Sequence, residues 1–279
     1  MGEQSELVRE LRTDSGLGQD RAHSARMYDY YLGGKSNYIV DRQAAEELVT
    51  LFPAIAVAAR ANRAYMHRAG RFLARQGVRQ FVDVGIGMPA MPNLHEVVQS
   101  LVPDATVVYV DNDPIVLVYA DELGNGTPEG AIRCVEADVR QPNELLAAVE
   151  RTGCIDFDQP VALSLHALLD FIPDELHPHQ IVGQLLGWLA PNSYLSLTHC
   201  TGDFSPDAWR AVVDAYGHRG VPVRARTKDE VRRFFHELDL VDPGLTVAHR
   251  WRPAPESGPM VPDKRVALYA AVARESTAL

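Results

Sequence analysis

Three carboxylates and one imidazole stand where a chain of alternating strands and helices could use them: Asp83, Asp111, Asp138 and His166. Asp83 lies within Phe81-Val82-Asp83-Val84, a strand-forming run that leads into the turn Gly85-Ile86-Gly87. Glycines suit that turn because a side chain would hold the backbone away from a ligand lying across the strand's carboxyl end. Two ligand chemistries fit. Read as Gly85-x-Gly87-x-x-Ala90, the turn matches a dinucleotide site whose pyrophosphate sits on the following helix N-terminus. Read from Asp83, it suits a positively charged ligand, since a bare carboxylate buried in a strand is costly unless paired.

Asp111 ends the next β-branched run, residues 106–110, and is placed to take ribose hydroxyls under either reading. Asp138 follows a third run, residues 132–136. An acid there can accept from an adenine amino group while Val139 offers its backbone amide to a ring nitrogen. His166 ends a fourth run, residues 161–165, and is the one obvious general-base candidate of the set. Cys134, Cys154 and Cys200 form no Cys-x-x-Cys pair, so reduced, packed thiols are expected. His177-Pro178-His179 lacks a metal-ligand spacing, and no metal is expected.

The elements that must position these groups follow from periodicity. Residues 106–110 are continuously apolar or β-branched, as in a parallel sheet buried on both faces. Helical patterns separate the strands at 94–101, 113–122, 142–150, 178–189 and 205–216. Pro89 and Pro92 suit the first turn of the helix after the glycines, and Asn125-Gly126 breaks the next one. A fifth strand is expected at 194–197. Thr227-Lys228-Asp229-Glu230 is a capping box for a helix running through Leu238, and 245–251 and 266–272 read as closing strands. Ahead of the glycine turn, Asp41 caps a helix over 42–51. A second helix over 54–76 ends at Gly77, and both must pack on the sheet that follows. Strands alternating with helices define a doubly wound α/β sheet carrying an N-terminal helical extension.

On these residues the chain resembles the class I S-adenosylmethionine-dependent methyltransferases: Asp83-x-Gly85-x-Gly87, Asp111 and Ala137-Asp138-Val139 fall on successive strands. More narrowly, the stretch from Tyr28-Asp29-Tyr30-Tyr31-Leu32-Gly33-Gly34-Lys35-Ser36-Asn37-Tyr38 to Asp41-Arg42 resembles the signature of a bacterial family of S-adenosyl methyltransferases. Asn62-Arg63, Val110-Asp111-Asn112-Asp113-Pro114, Pro243-Gly244 and Trp251-Arg252-Pro253 match its pattern as well, so the likeness runs from about Ala25 to Arg274. One departure is Pro89, which replaces a third glycine.

The resemblance implies a Rossmann-like sheet of seven strands, mostly parallel with an antiparallel last strand. It also implies a helical cap or lid over 23–77 and a methyltransferase domain over 78–279, while the polar, mixed composition of 1–22 predicts a free, flexible N-terminus. Asp83 would steer the ammonium of S-adenosylmethionine, Gly85 and Gly87 give backbone access, Asp111 takes the ribose, and Asp138 with Val139 takes the adenine. Leu165 and His166 would lie near the sulfonium methyl, while Asn112, Tyr28 and Arg63 in the matching motifs count as further cofactor contacts. The tyrosine-rich segment 28–38, hinged at Gly33-Gly34, is expected to close over the cofactor.

A net charge of −10 argues against a nucleic-acid partner held by electrostatics. No apolar run approaches the roughly 18 residues of a membrane span, and the polar start of the chain has no signal-peptide core, so a cytoplasmic protein is expected. The expectation is therefore an enzyme methylating a small-molecule acceptor, with its oligomeric state open. The rival readings are a protein that holds S-adenosylmethionine or its demethylated product without turnover, and an NAD(P)-dependent oxidoreductase.

Overall fold

The structure, a computed structural model, describes residues 20–120, 123, 126–253 and 261–275. The expected free N-terminus falls almost wholly on residues 1–19, outside the described residues, as do Glu122 and Asn125 near the expected break after 113–122.

Five parallel strands carry the fold: β1 (Gln80–Val84), β2 (Thr106–Asp111), β3 (Ala131–Glu136), β4 (Val161–His166) and β5 (Tyr194–Cys200). Three shorter or later strands complete it: β6 (Leu238–Leu240), β7 (Thr246–Val247) and β8 (Leu268–Glu275). The order is β3-β2-β1-β4-β5-β8-β6, with β7 also on β8, and β8 runs antiparallel to β5. This is the expected α/β sheet with one more strand than expected. β6 and β7 line the same edge of β8 and are separated by Asp242-Pro243-Gly244. Pro243 has no amide proton for the ladder, so the seventh position in the order is split into two short pieces. From β1 the chain winds outward to β2 and β3, then crosses back to β4 and β5. The crevice at that reversal, beside the carboxyl ends of β1 and β4, is where such sheets bind ligands.

Helices α1 (Ser24–Leu32), α2 (Ile39–Leu51) and α3 (Ile55–Arg75) precede the sheet. Between strands lie α4 (Leu94–Gln99), α5 (Pro114–Ala120), α6 (Pro142–Arg151), α7 (Pro178–Leu186) and α8 (Pro206–His218). Two short helices follow, α9 (Lys228–Arg232) and α10 (Asp263–Val266). Helix α3 packs on the sheet over β4 and β8, as its apolar face requires, whereas α2 packs on α1 and α8 rather than on the sheet. Asp41 sits inside α2, not at its cap: its carboxylate accepts the Tyr38 amide at 2.8 Å and pairs with Arg26, both side chains fully buried. The Thr227–Glu230 capping box forms, but α9 stops at Arg232. Glu237 adopts a left-handed backbone (φ 66°) and the expected end of the helix becomes β6.

Pro89 and Pro92 also lie outside a helix. Glu96 accepts the Asn93 amide at 2.6 Å, so α4 begins at Leu94, and Arg63 donates to the carbonyls of Ala90 and Pro92. The segment between the glycine turn and α4 is thereby held as a loop across the strand ends.

The Trp251-Arg252-Pro253 motif anchors that scaffold. Trp251 is fully buried against Tyr65 and Phe72, Arg68 of α3 holds the Trp251 and Ala248 carbonyls, and Arg252 lies over the Phe72 ring.

Candidate active site

A cavity of about 390 Å³ opens at the carboxyl ends of β1–β4. Its floor is the glycine turn. Gly85 and Gly87 both have left-handed backbones (φ 76° and 64°), which glycine adopts without steric cost. A Cβ on Gly85 would also stand 2.8 Å from a Leu168 methyl, which would have to move aside, but the left-handed backbone is what reserves this position for glycine.

Asp111 ties the floor to β2. One carboxylate oxygen accepts the Gly87 amide at 3.0 Å and the other accepts the Asp113 amide at 3.0 Å. Each oxygen keeps a further lone pair for a ligand hydroxyl. Burial pushes the Asp111 carboxyl above its ordinary range, and the two backbone amides draw it back.

Asp83 is more strongly perturbed. Burial raises its pKa to about 7, against the opposing pull of Arg63, with Asp111 adding a smaller upward push. Among the described residues it forms no ion pair, although it lines the cavity.

Asn112 and Asp138 meet at 3.4 Å, and Arg140 clasps Asp138 through its Nε at 2.8 Å and its backbone amide at 2.9 Å. Burial pushes the Asp138 carboxyl up, but these donors outweigh it and hold the group below its usual range. Asp138, Val139 and Arg140 all line the cavity.

On the other side, His166 lines the cavity with its Nε2 2.8 Å from the buried Ser196 hydroxyl, which Tyr65 also approaches at 3.2 Å. Burial, reinforced by Arg63, lowers the His166 pKa to about 3. The imidazole is neutral at physiological pH and a weak proton acceptor, which argues against the expected general base. Leu165 is not among the residues lining the cavity. It is fully buried beside Leu197, because the pleat sends neighbouring side chains to opposite faces and His166 takes the ligand side. Ala167 and Leu168 stand at the cavity instead.

Tyr28 and Arg63 both reach the cavity, but each is also a strut. Tyr28 donates to the Ala59 carbonyl at 3.0 Å and accepts from Asn62 at 2.9 Å. Asn62 in turn accepts from Thr198, whose hydroxyl oxygen takes the Ala167 amide, each at 2.8 Å. This chain joins α1, α3, β5 and the turn after β4, and it holds Ala167 in a left-handed backbone (φ 50°). Periodicity gave Asn62 no role beyond its place in the Asn62-Arg63 motif, and Tyr216 and Phe171 carried no signal in the sequence.

Within segment 28–38, both glycines of the expected hinge have local structural roles. Gly33 caps α1 with a left-handed backbone, and Gly34 is a close-packing glycine, since a Cβ on it would meet an Asp29 carboxylate oxygen at 1.9 Å. Asn37 locks the turn by donating to Asp29 at 2.6 Å and to the Gly34 carbonyl. Helix α1 forms part of the cavity wall, but it is fastened there.

Asp170, His199 and Cys200 lie close enough together to suggest a metal site. The buried Arg226 guanidinium stands 2.7 Å from His199 Nε2, however, and Asp170 pairs with His199 Nδ1 at 3.0 Å. Both imidazole nitrogens are engaged and a fixed positive charge already sits there. This cluster is a structural network.

A pyrophosphate fits the cavity poorly. The glycine turn is followed by a loop rather than a helix N-terminus, and two buried carboxyl groups face the place where phosphates would lie. A cationic ligand fits well, because among the described residues no cation forms an ion pair with Asp83. An open α/β sheet in this order, with an acid before a two-glycine turn and acids at the next two strand ends, defines the class of S-adenosylmethionine-dependent methyltransferases. The chain belongs to the S-adenosyl methyltransferase family, whose model matches residues 11–276. It is similar to a DUF574 family protein from Streptomyces avermitilis MA-4680, at 43% identity over 93% of this chain and 100% of that one, with a TM-score of 0.90. It is also similar to a proposed methyltransferase from Thermobifida fusca YX, at 34% identity over 94% of this chain and 98% of that one, with a TM-score of 0.84. No curated protein matches the sequence. The cofactor of the family, and of this chain, is S-adenosylmethionine. Among the described residues no helix is long and apolar enough to cross a membrane.

Proposed function

We propose that the protein transfers a methyl group from S-adenosylmethionine to a small-molecule acceptor held in the same cavity. The observation that carries this reading is the unpaired, buried Asp83 carboxyl group under the glycine turn, beside Asp111. Asp83 binds the ammonium of the cofactor, the Gly85–Gly87 backbone lies against its methionine portion, Asp111 with Asn112 takes the ribose hydroxyls, and Asp138 with Val139 takes the adenine. Bound S-adenosylmethionine supplies an electrophilic methyl group, whose C–S bond breaks with its electron pair left on sulfur as an acceptor lone pair takes the carbon. The residues around it bind, align and exclude water, and alignment alone can supply much of the rate. His166 holds its place through Ser196 and shapes the transfer site without taking the proton.

Calorimetry with S-adenosylmethionine, S-adenosylhomocysteine and NAD, followed by release of S-adenosylhomocysteine over a set of acceptors, tests the proposal. Binding of the first two but not NAD, with turnover on some acceptor, is the expected result. Binding of NAD alone would restore the oxidoreductase reading, and tight binding without turnover on any acceptor would favour a non-catalytic binder.

A further inference from the structure

The cofactor reading uses the ends of β3, β2 and β1, which leaves a second wall of the same cavity without a ligand. It is built from α1, from the chain after β4 and from α8 with the turn that follows it: Tyr31, Phe171, Ile172, Tyr216, Val221 and Pro222. None of these side chains is charged at neutral pH. Burial drives the Tyr31 and Tyr216 hydroxyls well above their ordinary range, and the two lie 3.4 Å apart, within hydrogen-bond reach. The two hydroxyls share one hydrogen bond, and because both residues are buried the wall presents mainly ring edges. Phe171 meets Tyr216 edge to face, with centroids 6.2 Å apart.

The wall is also pre-formed. Arg226, itself buried, donates to the Leu169 and Ile172 carbonyls on either side of Phe171, and Asp170 accepts the Cys200 amide at 2.9 Å. A buried network therefore fixes the stretch of wall from Leu169 to Ile172.

We propose that this wall is the acceptor subsite and that it receives a small, uncharged, planar aromatic molecule. The proposal rests on the methyltransferase reading. A charged acceptor would lose its hydration against these six side chains, none of which offers a counter-charge, although Arg63 lines the same cavity near His166. Aromatic edges and faces reward a flat π-surface beyond the area it buries. Because His166 is a poor base, the acceptor brings its own lone pair on a ring heteroatom, an aromatic amine or an ionisable phenol. That pair forms the new bond to carbon as the C–S pair stays on sulfur, and any proton on the acceptor atom leaves to water.

The test is a fluorescence titration of naphthol into protein saturated with S-adenosylhomocysteine, with phenyl phosphate and hexylamine as charged competitors. Phe171→Ala and Tyr216→Phe are compared with the parent, and calorimetry of S-adenosylhomocysteine runs alongside. Phe171 is only partly buried, and circular dichroism together with the retained S-adenosylhomocysteine affinity checks that its truncation keeps the fold. Naphthol should bind the loaded protein and resist both competitors. Phe171→Ala should weaken it roughly tenfold, a loss in the range of one aromatic contact with its buried area. Tyr216→Phe, which keeps the ring, should leave naphthol affinity nearly unchanged, and S-adenosylhomocysteine affinity should hold in both variants. If S-adenosylhomocysteine binds but naphthol does not, if Phe171→Ala leaves naphthol affinity unchanged, or if a charged competitor displaces it, the aromatic subsite is wrong. Failure of S-adenosylhomocysteine to bind would bring down the methyltransferase reading itself, and the subsite with it.

Discussion

At Asp83, protonation and ligand binding meet on one carboxyl group. Its folded pKa of about 7 lies well above the 3.8 of an unperturbed aspartate, so the folded state holds this proton more tightly than the unfolded chain does. Asp83 thus contributes stability that is full below about pH 4 and is lost as pH rises through 7, on the order of 4 kcal/mol across that window. Asp83→Asn should flatten that part of the stability profile, raising the melting temperature at pH 8 more than at pH 4. Ligand binding runs the other way, because an ammonium needs the ionised carboxylate. S-adenosylhomocysteine affinity should fall by up to about tenfold per unit below pH 7. Calorimetry in buffers of different ionisation enthalpy should show proton release on binding, and an affinity flat from pH 5 to 8 would remove Asp83 from the ammonium site.

Asp111→Ala should cost about 1–3 kcal/mol of cofactor affinity. It should also lower the melting temperature somewhat, since the same carboxylate holds the Gly87 and Asp113 amides. Unchanged affinity in that variant would take Asp111 off the ribose. The three acids stood out in the sequence because Asp83 interrupts an apolar strand-forming run just before the glycine turn, and Asp111 and Asp138 stand at or just after the ends of the next two. Leu165 was misplaced because the end of a run does not reveal which face its last residue takes.

At the scale of elements, the N-terminal helices act as a brace as much as a cover. Helix α1 is tied to α2 through the buried Arg26–Asp41 pair, and Asp41 also accepts the His23 and Tyr38 amides. Asp41→Ala removes the closest acid of a buried guanidinium and the acceptor of two amides, so it should destabilise the fold by about 3–5 kcal/mol in denaturant unfolding. A loss well under 1 kcal/mol would show that α1 and α2 are not clamped. Hydrogen exchange separates brace from lid. The amides of α1 should be protected without ligand, and protection that appears only with S-adenosylhomocysteine would restore the moving lid. The tyrosine density of 28–38 was visible in the sequence and rightly drew attention to this segment. Gly-Gly alone could not tell a hinge from a cap followed by a close contact, because the Asp29 carboxylate that fills the space beside Gly34 is a tertiary feature.

Across the whole molecule, the alternation of strands and helices and the acids at the strand ends could be read locally. The wall opposite them could not. Thr198 meets Asn62 across 136 residues of sequence, and Tyr31 meets Tyr216 across 185. No spacing rule connects positions that far apart, and the split of the closing edge into β6 and β7 depends on how Pro243 falls against β8. A crystal structure of the protein grown with S-adenosylhomocysteine tests the central claim most directly. The ligand should lie along the ends of β3, β2 and β1, with its ammonium on the Asp83 side of the glycine turn, its ribose on Asp111 and its adenine beside Asp138 and Val139. Its sulfur should point toward β4 and the aromatic wall. Density for the ligand anywhere else, or with the adenine at β4 and the ammonium at β3, would contradict it.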